Sequence, residues 1–361
     1  MKKRILISVS SDLSTDQRVL KTARTCYENG FEVLLIGRKL YDSQPLTLPY
    51  PFKRFHLLFN KSFAFYAELN IRLFFLLLFS RVDIFLSNDT DTLPANFMAA
   101  RLRRKKLVFD AHELFPEVPE LADRPLVKKI WTKIEDLIFP KLLYSYTVCQ
   151  SIADYYNKKY NIDMKVVRNI PYYRESEKNK PSGNNRKVII YQGALNVGRG
   201  LEWVIDAMPF IENAVLLIIG DGDIKAQLEE QVAQKKLENK VTFKAKMRPE
   251  ELYLQTSKAN IGLCLLENKG LSYYYSLPNR IFDYIHADIP VLASRFPEIT
   301  AIVETYKTGV LIDHYEPEYL AKIINDMLEH PYPTAHFTEI AQKLCWENEE
   351  KVLISLINDR L

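Results

Sequence analysis

A short apolar run, Ile5-Leu6-Ile7-Ser8-Val9, is followed by a helix-like segment and then by a second run, Val33-Leu34-Leu35-Ile36. This alternation limits what the chain can fold into. Two strands joined by a helix run parallel, and the crossover between them is right-handed. The helix is marked by Ser14 and Gln17 at capping-box spacing, by Val19, Leu20, Ala23 and Tyr27 at helical spacing, and by Asn29-Gly30 at its end. Further strands are predicted at 84–87, 107–110 and near 144–148. A polar, turn-rich stretch at 172–187 then breaks the pattern. After it the alternation restarts, with strands predicted at 188–192, 215–219, 241–244, 261–265, 291–293 and 310–312, and a final helix over 338–357. A chain of 361 residues is longer than one hydrophobic core usually serves. The expected fold is α/β: two doubly wound, Rossmann-like parallel-sheet domains, 1–171 and 188–337, joined by a linker at 172–187 and followed by a terminal segment, 338–361.

Bulk properties exclude several classes. The net charge of +4 does not point to nucleic acid. Cys26, Cys149, Cys264 and Cys345 fit no metal-knuckle spacing, and no paired histidines accompany them. A cytoplasmic chain without disulfides, a resident metal or another cofactor is expected. The basic start, Met1-Lys2-Lys3-Arg4, precedes a run too short for a secretory signal. Residues 71–79, Ile-Arg-Leu-Phe-Phe-Leu-Leu-Leu-Phe, are too few to span a bilayer. They read as a buried helix, with an interfacial face on a membrane as the alternative. Arg101, Arg103, Arg104, Lys105 and Lys106 form a basic run that fits a solvated helix end or acidic lipid head groups.

In parallel sheets, ligands gather beyond the carboxyl ends of the strands, so the loops there hold the candidate chemistry. Gln192-Gly193-Ala194-Leu195-Asn196-Val197-Gly198-Arg199-Gly200 links a strand to a helix. Its glycines permit close backbone approach, and Arg199 offers a fork for a phosphate oxygen. It is neither a Walker loop nor an intact dinucleotide fingerprint. Ser276-Leu277-Pro278-Asn279-Arg280-Ile281-Phe282-Asp283 reads as a helix start capped by Ser276, with Arg280 beside a diphosphate and Asp283 placed for a ribose diol or for the helix dipole. His112, in Asp110-Ala111-His112-Glu113, suits a catalytic role or a packed loop. Tyr273-Tyr274-Tyr275 suits stacking on a sugar or base, or packing.

Taken in order, these segments resemble glycosyltransferase family 4, the retaining GT-B enzymes, over nearly the whole chain. Asp12-Leu13-Ser14-Thr15-Asp16-Gln17-Arg18-Val19 resembles the family's acceptor-side loop, and Asp110-Ala111-His112-Glu113 its D-x-H-E segment. Val166-Val167-Arg168-Asn169-Ile170-Pro171 is similar to the segment closing the first domain. Residues 193–200 resemble the diphosphate loop, Ile219-Gly220-Asp221-Gly222 and Val241-Thr242-Phe243 the next strand ends, and residues 276–284 and 289–294 the nucleotide-binding helix and the strand after it. The pattern departs in places. Of two glutamates in E-x7-E, the first falls on Tyr275 and the second on Asp283; the family's loop arginine falls on Ala194 and its lysine on Arg199.

The resemblance implies two domains facing across a cleft, with the terminal helix packing back on the first. It implies transfer, with retention, from a nucleotide-diphosphate sugar to a glycan or lipid-linked acceptor in surface polysaccharide synthesis. His112, Arg199 and Arg280 are the implied catalytic residues. Gly193, Gly198, Gly220, Asp221, Lys246, Tyr275, Ser276, Leu277, Asn279 and Asp283 are the implied donor contacts, and Asp12, Asp16, Arg18 and Asp89 lie on the acceptor side. The implied partners are the nucleotide sugar and the acceptor, with no nucleic acid; a peripheral membrane contact is the further partner that the apolar and basic runs suggest. Two other readings stand beside it: a nucleotide-sugar epimerase, and a catalytically impaired relative that only binds a nucleotide or a partner.

Overall fold

The computed structural model describes residues 2–41, 43–175 and 186–359. The chain divides into two compact units, Met1–Asn169 with Asn348–Leu361, and Ile170–Glu347. The predicted linker lies mostly outside the described residues.

In the first unit the order is β1 (Arg4–Asp12), α1 (Gln17–Glu28), β2 (Glu32–Arg38), β3 (Phe52–Phe55), α2 (Ser62–Phe79), β4 (Ile84–Asn88), α3 (Asp89–Arg103), β5 (Lys106–Ala111), α4 (Pro125–Ile138), β6 (Ser145–Thr147), α5 (Gln150–Tyr160) and β7 (Lys165–Val166). The second runs β8 (Lys187–Gln192), α6 (Leu201–Ala207), β9 (Ala214–Ile219), α7 (Lys225–Gln234), β10 (Val241–Lys244), α8 (Pro249–Thr256), β11 (Ile261–Cys264), α9 (Leu271–Tyr274), α10 (Arg280–His286), β12 (Val291–Ser294), α11 (Pro297–Tyr306), β13 (Gly309–Ile312), α12 (Pro317–Glu329) and α13 (Phe337–Lys343). Then α14 spans Trp346–Asn358.

The two sheets, ordered β3-β2-β1-β4-β5-β6-β7 and β10-β9-β8-β11-β12-β13, are parallel throughout. Strand order reverses beside β1 and β4 in one and beside β8 and β11 in the other. Neighbouring crossovers diverge there and leave a crevice at the carboxyl edge.

Four local expectations change. Helix α1 is capped by Asp16, not by a Ser14 box: its carboxylate accepts from the Val19 amide at 3.1 Å and from the Ser11 hydroxyl at 2.5 Å. A carboxylate suits the positive end of the helix better than a hydroxyl does. Ser276 does not cap α10, because its hydroxyl donates to the Tyr273 carbonyl at 2.8 Å and the helix begins at Arg280. The single helix expected over 338–357 is α13 and α14, broken where the Trp346 amide donates to the Pro171 carbonyl at 2.8 Å instead of continuing the helix.

The fourth change concerns α2, which is not a buried helix. Phe65, Leu69, Leu73 and Leu77 form one buried stripe, packed on Leu6, Ile36 and Phe85 of the sheet and on Ala95, Ala99 and Ala100 of α3. Its outer side is open, with Ile71 59%, Phe75 54% and Phe79 79% exposed. A helix laid on a sheet covers only one stripe, whatever the composition of the other. By length and apolarity α2 could cross a membrane. It is instead the crossover between β3 and β4.

Leu73→Ala should cost about 2–5 kcal/mol, since it opens a cavity in that core. Phe79→Ser should change stability by no more than about 0.5 kcal/mol. Urea denaturation compares them, and equal losses would contradict the packing described.

Candidate functional site

At the reversal of the second sheet, β8 ends in Tyr191-Gln192-Gly193. The Arg280 guanidinium lies over the Tyr191 ring, 4.4 Å from its centroid, and is buried. Gly193 adopts φ +134°, and a β-carbon there would come within 3.6 Å of that guanidinium. Gly220 backs the same turn: a β-carbon on it would meet the Gly193 carbonyl oxygen at 1.9 Å. The Leu195 amide donates to the Asp221 carbonyl at 2.9 Å, locking the two loops together. Arg199 lies over the Tyr273 ring at 4.7 Å, and a β-carbon on Gly198 would touch the edge of that ring.

Among the described residues, neither arginine has a carboxylate within ion-pair distance, and Arg280 Nη1 and Arg199 Nε are buried without a hydrogen-bond partner. Burial raises the Cys264 thiol to about 11, while Arg280 and Arg199 act on it in the opposite sense, so both cations lie near its sulfur. A buried cation facing only aromatic rings is uncompensated, which is costly unless an anion arrives. Asp283 accepts from Gln192 Nε2 at 2.7 Å, and Gln192 in turn accepts from Thr256. Leu277 is buried, Tyr275 and Ser276 are partly covered, and Lys246 and Asn279 are exposed.

At the reversal of the first sheet the charges balance. Arg18 donates to both oxygens of Asp110, at 2.8 and 2.7 Å, and to the Val167 carbonyl at 2.9 Å. His112 sits between two carboxylates, with Nε2 3.1 Å from Asp110 and Nδ1 3.0 Å from Asp89. Asp89 has φ +61°, a left-handed backbone that turns its carboxylate onto both the ring and the amide of His112. Burial works against a charged His112, but Asp89 and Asp110 outweigh it and hold the imidazole pKa well above its ordinary value. Burial likewise works to raise Asp110, yet Arg18 and His112 hold it down at about 2. Beside them is Asp91, hydrogen-bonded by the Ser10 hydroxyl; burial, then the charge of Asp89, pushes it up to about 7. Asp12 is occupied with its own loop, accepting from the Ser14 amide at 3.0 Å and the Ser43 hydroxyl at 2.6 Å. Asp16 serves as the α1 cap. The basic run is partly consumed as well. Lys106 is buried against the carbonyls of Leu356 and Asp359, and Lys105 pairs with Asp83.

The family model described as "Glycosyl transferases group 1" matches residues 173–344. That match takes in most of the second unit. Among curated proteins, the chain is 25% identical over 240 residues to a chitobiosyldiphosphodolichol beta-mannosyltransferase of Candida albicans, a match covering 58% of this chain and 51% of that protein. It is 23% identical over 181 residues to an uncharacterized glycosyltransferase of Methanocaldococcus jannaschii, covering 48% of this chain and 45% of that protein. The chain thus spans about half the length of the curated relatives it matches. Among solved structures, a sucrose-phosphate synthase from Thermosynechococcus elongatus aligns with a TM-score of 0.78 at 17% identity, covering 99% of this chain and 98% of that one. Anabaena HepE, solved with UDP and glucose, aligns at 0.73 with 16% identity, covering 98% and 99%. These likenesses establish the fold, the GT-B class that the resemblance implied.

Within the group 1 segment, Arg199, Arg280, Gly193, Gly198 and Gly220 come together at one sheet edge. Reading the sequence overlooked Tyr191 and Gln192, which look like ordinary strand residues and become visible only once Arg280 and Asp283 lie on them. In the first unit it overlooked Asp91, Ser10 and Glu135. The last accepts from Tyr156 at 3.0 Å and Tyr160 at 3.3 Å beneath Thr90, and burial pushes it up to about 7.

Asp91 generates a pH prediction. Its folded pKa of about 7 is raised above the ordinary carboxyl value, so its contribution to stability is complete below about pH 4 and is lost as pH rises through 7. Asp91→Asn keeps the neutral form. Measured by urea midpoints, the variant should gain on the parent between about pH 5 and pH 8. A difference that does not change with pH would contradict the burial of this carboxyl.

Proposed function

We propose that this chain is a retaining glycosyltransferase that moves a sugar from a nucleotide-diphosphate sugar to a glycan or lipid-linked acceptor. The observation that carries this reading is the pair Arg280 and Arg199: buried or half-buried cations, each against an aromatic ring, beside the turn at Gly193. A diphosphate supplies the anion such a site lacks. The solved relative from Anabaena was captured with UDP-glucose, which supports a nucleotide sugar as the ligand here.

In the proposed reaction the bond between the anomeric carbon and the diphosphate oxygen breaks, and its electron pair stays with the diphosphate. In this reading Arg199 and Arg280, each held against an aromatic ring, take up that developing charge, so little reorganisation is needed. The acceptor oxygen bonds to the same face of the sugar, and its proton passes to the leaving phosphate. In this reading the two arginines take the charge that a bound metal ion could otherwise carry. Asp283, held by Gln192, is the proposed ribose contact. The first unit is the proposed acceptor side, where His112, an imidazolium fixed by Asp89 and Asp110, acts on turnover. Surface polysaccharide synthesis is the proposed setting.

Calorimetry with UDP and GDP tests the donor site. Arg280→Ala should lose about 1.5–3 kcal/mol, tenfold or more in affinity for whichever nucleotide binds. Unchanged affinity in a folded variant would reject the assignment. His112→Ala should keep the nucleotide affinity of the parent and lose activity, read as donor turnover with and without acceptor. If it retains full activity, His112 is only a structural member of its ion network.

A further inference from the structure

The outer surface of α2 and α3 is both apolar and cationic. On α2, Ile71, Phe75 and Phe79 recur at four-residue spacing and are exposed. Helix α3 lies on the same face of the sheet, because both helices feed one core cluster. On its own outer side Met98 and Leu102 are exposed. Between α2 and the edge strand β3 an open groove of about 500 Å³ is lined by Leu34, Ile36, Phe55, Phe75, Leu76 and Phe79, with Lys53 and Arg72 at its rim.

The charge of this region is lopsided. Residues 53–106 hold ten basic and four acidic side chains, a net of +6, while the rest of the chain carries −2. The acids are spoken for. Glu68 accepts from the Leu58 and Phe59 amides and pairs with Arg72, Asp83 pairs with Lys105, and Asp89 and Asp91 lie in the sheet-edge cluster. Lys53, Lys61, Arg81, Arg101 and Arg104 remain exposed.

We infer that this α2/α3 face docks on an anionic lipid bilayer, with Phe75 and Phe79 entering the acyl boundary and the exposed lysines and arginines meeting acidic head groups. Exposed rings bordered by unneutralised cations match such an interface in both apolarity and charge. Docking in this way is independent of transfer chemistry, since none of these residues belongs to either sheet-edge site.

Flotation with vesicles of phosphatidylcholine alone, or mixed equally with phosphatidylglycerol, tests it without substrate. The full chain should float with the mixed vesicles at low salt, float much less at high salt, and stay down with phosphatidylcholine. The double variant Phe75→Ser/Phe79→Ser and the double variant Arg101→Gln/Arg104→Gln should each lose about tenfold in partitioning, with unchanged circular dichroism and unchanged nucleotide affinity. No flotation of the parent, or variants that float like it, would overturn the inference. So would a parent that dimerises in sedimentation velocity through these same rings. Nucleotide affinity measured on the same samples keeps failure here distinct from failure of the transferase reading.

Discussion

A parallel sheet wrapped on both faces has one place for polar chemistry: the carboxyl edge where its strand order reverses. The strand interiors of this chain are almost wholly buried, with Ile5, Leu6, Ile7, Ile189, Ile190, Leu216 and Ile218 at or near zero exposure. No charged side chain lies among these positions. Polar groups that must be held in place are therefore pushed to the ends of β1, β4 and β5 in one unit and β8, β9 and β11 in the other. That constraint explains why residues far apart in sequence, such as Arg18 and Asp110 or Gly193 and Arg280, become neighbours.

The two edges handle charge in opposite ways. In the first unit, Arg18, Asp110, His112 and Asp89 alternate in sign and satisfy one another, while burial pushes Asp91 up to about 7. Such a set is rigid, and it fixes the protonation of His112 at neutral pH. In the second unit, Arg280 and Arg199 rest on Tyr191 and Tyr273. An aromatic face orients a guanidinium while leaving its charge largely intact. Among the described residues, one edge is internally complete and the other is short of an anion.

Much of this was legible in the chain itself. The alternation placed eleven of the thirteen strands within a few residues, because a strand buried on both faces reads as a continuous apolar run. The two it missed, β3 and β7, are edge strands, where one side is open and the apolar signal is weak. Arg199 and Arg280 stood out through glycines and helix-start residues nearby. The cap of α1 was misplaced by two residues because Ser14 and Asp16 both fit the local pattern, and only the folded geometry brings the Asp16 carboxylate onto the Val19 amide. The outer face of α2 was misread because composition counts apolar residues without knowing how many neighbours will cover them.

By itself, the sequence determined the fold class, the division into two α/β halves and the loops at the carboxyl edges of the strands, since hydrophobic period and turn chemistry are local properties. The tertiary structure decided which charges are neutralised. Whether Arg18 or Arg280 finds a carboxylate depends on residues ninety positions away or on none at all, and the free energy of a buried charge is set by its spatial neighbours. Those neighbours hold the His112 pKa well above its ordinary value, leave Arg280 without a counter-ion among the described residues, and leave Phe75 and Phe79 facing outward.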